Sequence, residues 1–130
     1  MKMHGMAAKR SDAGFIVVII TCPQHAAQNI ATFLLEKRLA ACVSSVPNVH
    51  STFWWNGRLT NDMESLLIAK TRRKLFKQLE SGVKKMHPYR NPEIISIPVM
   101  GGSADYLNWI SKETTTRRST RTRAAKPSSM

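Results

Sequence analysis

Two stretches, F-I-V-V-I-I (residues 15–20) and S-L-L-I-A (residues 65–69), are apolar at odd and even positions alike. A strand that faces water on one side alternates, because successive side chains point to opposite faces. These two do not alternate, so both faces of whatever sheet they form need a cover. That requirement constrains the fold more than any other feature of the chain.

The cover on one side is legible. Pro23 suits the first position of a helix, with Cys22 or Thr21 near its cap. Ala27, Ile30, Ala31, Leu34 and Leu35 then recur at helical spacing, and the helix is expected to end near Leu39. A second helix, with Thr71 as its cap, carries the stripe Leu75, Phe76, Leu79, Val83 and Met86. Pro88 stops it near His87, since the residue before a proline avoids the helical region. Between the helices lie a run from Cys42 to Trp55, the turn Asn56-Gly57, and a strand expected over Met63–Lys70. Pro47 predicts a bulge in the first of these, and Cys42 reads as a small hydrophobe entering a buried strand. E-I-I-S-I-P-V-M forms the last strand, ended by Gly101-Gly102, and A-D-Y-L-N-W-I-S-K a short closing helix.

The order β-α-β-β-α-β predicts an α+β, ferredoxin-like split arrangement: a four-stranded antiparallel sheet with both helices on one face. The other face stays bare. Trp54 and Trp55 are consecutive and point to opposite faces, so one is expected under the helices while the other needs a partner. No further element is large enough to cover a sheet, which makes a second copy of the chain the expected cover.

Charge and composition narrow the function. Much of the net charge of +12 sits at the two ends, in Lys2, Lys9 and Arg10 and in the arginine-rich stretch after Thr114. Those ends hold almost no large apolar residues, so 1–14 and 114–130 are read as disordered basic tails around a folded part, 15–113. An arginine-rich tail without aromatics would bind nucleic acid nonspecifically at best. No apolar run approaches a membrane span, and nothing near the start resembles a secretory signal. The cytoplasm is therefore the expected compartment, with an organellar presequence left open. Two cysteines, Cys22 and Cys42, suggest neither a disulfide framework nor a closed zinc site. No glycine-rich phosphate loop, nucleophile–base signature or evident carboxylate dyad points to catalysis, and the expectation is a protein that is not an enzyme.

The stretch H-P-Y-R-N-P-E (87–93) is the most chemical part of the chain, with His87, Tyr89 and Glu93 between and beside two prolines. Read from the residues alone, it is either a metal or small-ligand site or a structural joint. In the joint, His87 caps a helix end and Glu93 pairs with a neighbouring subunit's Lys or Arg. Lys70, at the end of I-A-K-T, either holds an anion in a cleft or snorkels from the strand end. Trp55 is a candidate to line such a cleft with Tyr89. His25 and His50 read as surface or packing residues.

Taken together, I-I-T-C-P, L-A-A-C-V, F-W-W-N-G-R, L-L-I-A-K-T, H-P-Y-R-N-P-E-I-I-S-I-P-V and D-Y-L-N-W resemble the CutA family of divalent-ion-tolerance proteins. They occur in family order across the whole folded part. The resemblance implies a stable homotrimer, similar in shape to the PII signalling proteins, linked to copper tolerance and metal-ion homeostasis. It further implies copper or another divalent cation as ligand, with His87, Glu93 and Cys22 as the metal-site residues. Some relatives carry their cysteine just before the threonine, where this chain has Ile20. The PII-like shape leaves a second reading open, a signalling trimer that senses a small anion or nucleotide in clefts lined by Tyr89, Lys70 and Trp55.

Overall fold

The computed structural model describes residues 14–115. Its elements are β1 (Phe15–Cys22), α1 (Ala27–Glu36), β2 (Cys42–Trp55), β3 (Arg58–Arg72), α2 (Phe76–Met86), β4 (Ile94–Pro98) and α3 (Ala104–Glu113). Short 3-10 turns, Gln24–Ala26 and Arg73–Leu75, lead into α1 and α2. The four strands form one antiparallel sheet in the order β2-β3-β1-β4, the ferredoxin-like topology that the element order predicts. The tails expected at 1–14 and 114–130 lie, for nearly all their length, outside the described residues.

Every second residue of β1 is buried: Ile16, Val18, Ile20 and Cys22. They meet Leu67 and Ala69 of β3, Ala27, Ile30 and Leu34 of α1, and Leu79 and Val83 of α2 in a single core between sheet and helices. The intervening residues of the same strands face the other way. Ile19 lies opposite Ile68 and Ile95, and Val17 lies opposite Ile97. Ile95 and Ile97 are about half exposed, at 51% and 49%. The two-faced strands of the sequence are therefore two-faced in the fold, with one face packed and one open. α3 closes only one end of the open face, where burial first, and then the Cys42 thiol, push the Tyr106 hydroxyl pKa up.

Several local expectations shift, each for a physical reason. α1 stops at Glu36 because Arg38 takes a left-handed φ of 58°, and the amides of Arg38 and Leu39 fold back on the carbonyls of Leu35 and Leu34. Thr71 does not cap α2. Pairing with Ile16 keeps it in β3, fully buried, and no side chain caps the helix that follows. β3 begins at Arg58, five residues before Met63. The Asn56-Gly57 turn, with φ of 50° and 75°, registers the polar R-L-T-N-D segment against β2. The bulge expected at Pro47 is present as a register shift between Val46 and Val49. β4 ends at Pro98, before the glycines. Cys42 is half-buried on the open face, not in the core. Neither tryptophan reaches under the helices: the hairpin projects past them, leaving Trp54 70% and Trp55 54% exposed. Thr114 belongs to the packed body. It is buried, and its hydroxyl and carbonyl accept from the Arg72 guanidinium at 2.8 and 2.9 Å.

The helices approach closely at Gly82, where an added Cβ would lie 2.7 Å from the ring carbons of Phe33. Glycine inside an exposed helix normally costs about 1 kcal/mol relative to alanine. Here Gly82→Ala should instead destabilise by about 1–3 kcal/mol, because the Phe33 ring has to leave its place. Urea denaturation of the two proteins checks the sign, and a stabilised alanine variant would show that the ring moves freely.

Candidate functional site

At the end of the sheet away from α3, the β2–β3 hairpin curls over the segment that follows α2. Together they enclose a cleft of about 790 Å³. Trp55 and Phe53 line it from β2, Asp62 and Glu64 from β3, Thr21 from β1, and Tyr89, Arg90 and Glu93 from the connection to β4.

Proline placement explains why the connection can hold a fixed shape. Pro88 ends α2 and Pro92 restricts the approach to β4. Between them a chain of hydrogen bonds ties the segment to the sheet. The amide of Tyr89 donates to His87 Nδ1 at 3.0 Å. That nitrogen is therefore the acceptor, so Nε2 carries the proton and donates to the Thr21 carbonyl at 2.8 Å. The Thr21 hydroxyl donates in turn to Glu93 Oε1 at 3.0 Å. Tyr89 crosses the cleft floor to give its hydroxyl proton to Glu64 Oε2 at 2.7 Å. Its ring stacks at a tilt on that of His87, 4.8 Å between centroids.

Electrostatics follow from this packing. Burial, then the hydrogen bond to Glu64, then the charges of Glu64 and Asp62, push the Tyr89 hydroxyl well above its ordinary value, so it stays protonated and donating. Burial, reinforced by Glu64, pushes the Cys22 thiol from 9.0 up to about 11. Near neutral pH Cys22 is a thiol, while the metal ligand is the thiolate.

The six residues singled out in the sequence therefore separate. Tyr89, Trp55 and Glu93 line the cleft. His87 sits directly behind it, 8% exposed, with both ring nitrogens engaged inside the chain. Cys22 points into the core on the opposite face from Thr21. Lys70 is elsewhere: its ammonium donates to Ser44 Oγ at 2.6 Å and lies 3.6 Å from Cys42 Sγ, at the α3 end of the open face. His25 and His50 are exposed. Among the described residues, no three His, Cys, Asp or Glu side chains converge as a metal-binding group.

Sequence reasoning missed Asp62 and Glu64. With β3 expected to start at Met63, Asp62 fell in a loop and the face shared by 62, 64 and 66 could not be seen. The available signal was the i, i+2 spacing of the two acids behind an Asn-Gly turn. Thr21, which joins His87 to Glu93, had no signal of its own.

Comparison with known proteins bears on this arrangement. The family model described as CutA1 divalent ion tolerance protein matches residues 16–113. A divalent-cation tolerance protein CutA of Thermus thermophilus is 43% identical over 99 residues, covering 75% of this chain and 96% of that one. A chloroplastic protein CutA 1 of rice is 42% identical over 76% of this chain, which spans only 56% of the rice protein. The solved divalent cation tolerance protein of Thermus thermophilus superposes with a TM-score of 0.76 at 42% identity, covering 78% of this chain and 99% of that one. The match spans every element from β1 to α3, including the hairpin and the segment that form the cleft, and the chain thus belongs to the CutA1 divalent ion tolerance family.

Proposed function

We propose that the chain serves divalent-cation tolerance as a homotrimeric binding protein rather than an enzyme, with the cleft beside Glu93 completed at each subunit boundary. One observation carries this reading. The open apolar face of Val17, Ile19, Leu66, Ile68, Ile95 and Ile97 runs directly into the cleft through Thr21 and Glu64. A copy that covers the face also arrives at the cleft mouth and can add ligands there.

Charge selects the ligand. Three carboxylates, Asp62, Glu64 and Glu93, line the cleft against one guanidinium, Arg90, in a protein that is basic overall. This favours a cation over the small anion or nucleotide of a signalling trimer. Lys70, the group best suited to hold an anion, is bonded to Ser44 instead. Glu93 is the ligand we assign. Copper is the softer case. To reach it, His87 would first give up the Thr21 carbonyl or the Tyr89 amide, and Cys22 would ionise from the core. The free cysteines Cys22 and Cys42 suit a reducing compartment, which for us remains the cytoplasm. Among the described residues, no helix is long and apolar enough to cross a membrane.

Calorimetric titration of the full chain with zinc and copper(II) salts tests the assignment. Glu93→Gln should weaken binding by about ten-fold, roughly 1.4 kcal/mol, while the sedimentation profile stays that of the parent protein. Equal affinity in parent and variant, or no binding by the parent, would remove the cation from this cleft.

A further inference from the structure

A second cavity lies on the helix side of the sheet, remote from the acidic cleft in charge and in lining. It measures about 290 Å³ and is lined by Arg73, Lys74 and Lys77 at the start of α2, by Ser96 and Pro98 of β4, and by Phe76. No carboxylate lines it. Among the described residues, none of the three cations makes a salt bridge; the bridges are Arg38–Glu113 and Lys84–Glu80.

Arg73 Nε is shut away from solvent and has no hydrogen-bond partner among the described residues. A buried N–H of a charged group left in this way costs free energy, and it leaves the guanidinium, whose residue lines the cavity, with hydrogen-bonding capacity unused inside the chain. Two further features agree with an anionic ligand. No acidic residue occupies the first turn of α2, and no side chain caps it, so the positive end of the helix is uncompensated. Ser96 adds a hydroxyl donor on the facing strand. Phe76 and Pro98 give the cavity an apolar wall, which an inorganic ion alone would leave unused.

We propose that this groove binds a small phosphate monoester, its phosphoryl group gripped by Arg73, Lys74, Lys77 and Ser96 and its organic part lying on Phe76 and Pro98. A planar guanidinium fork and two ammonium groups match the three oxygens of a dianion in a way that a carboxylate would satisfy only in part. The site is independent of the cation cleft: it lies on the opposite face of the sheet and shares no residue with it.

The test is calorimetric titration of the full chain with phenyl phosphate at fixed ionic strength. One saturable site per chain is expected. Lys74→Gln/Lys77→Gln, both at exposed positions, should weaken it at least about ten-fold, the loss of two charge-assisted contacts. Lys84→Gln/Lys85→Gln removes the same charge from the far end of α2 and should stay within about two-fold, since exposed charges a helix-length away are largely screened. Arg73→Lys keeps the charge but deletes the planar guanidinium fork, and it should also weaken binding. Equal weakening in both double variants would mean general electrostatic attraction and overturn the site. So would the absence of saturable binding at millimolar ligand. Phosphatidic acid vesicles supply the same phosphate chemistry on a surface. Co-sedimentation with them, without any response to phenyl phosphate, would overturn the assignment of a free ligand.

Discussion

Ile68→Asp is expected to convert the protein into a monomer. Ile68 lies at the centre of the open face, opposite Ile19 on one side and Ser44 on the other, with Ile95 one strand further. In the single chain this residue is only half-buried, so a carboxylate there meets water and the fold survives. In an assembly the same carboxylate would be buried between apolar surfaces with no partner, at a cost of about 3–5 kcal/mol per interface. A standard interface buries roughly 800 Å² on each partner, and few such interfaces tolerate a loss of that size at their centre. Sedimentation equilibrium checks it: trimer for the parent protein and a folded monomer of 14.6 kDa for the variant. A parent protein that is monomeric at micromolar concentration, or a variant that stays trimeric, would end the assembly proposal.

His87→Ala should be the most destabilising change in the cleft region. The imidazole accepts from the Tyr89 amide and donates to the Thr21 carbonyl in a position almost closed to water. Alanine leaves both backbone groups without partners and empties the space against the Tyr89 ring. Each stranded group costs about 1–3 kcal/mol, so a total of about 2–6 kcal/mol is expected, or roughly 10–30 °C in melting temperature for a domain of this size. Thermal unfolding measures that loss. Copper titration of the same variant, below its melting point, separates structure from ligation. With the ring acting as a joint, affinity should change by less than about two-fold. A copper site lost while the fold remains would make His87 a ligand and reverse the assignment to Glu93 alone.

Much of the fold was determined locally and is legible in the chain. Strand β1 could be read from F-I-V-V-I-I because unbroken β-branched residues suit a doubly covered strand and little else. The Asn56-Gly57 turn and the stop at Pro88 are backbone chemistry, carried by the residues themselves. The family resemblance rests on the same stretches and holds across residues 16–113.

Other features were decided only by tertiary structure, because they depend on pairing between distant segments. Thr71 has the chemistry of a helix cap but belongs to β3, since pairing with Ile16 outweighs a single cap bond. The polar stretch Arg58–Asp62 is strand because the turn registers it, not because its residues prefer it. That register also puts Asp62 and Glu64 into the cleft. The state of His87 is set by Thr21, 66 positions away, and by the Tyr89 amide, whose direction depends on how two prolines turn the chain. A sequence shows that an imidazole is present. Whether its nitrogens remain free for a metal depends on which buried backbone groups lie beside them, and only the folded chain brings those groups there.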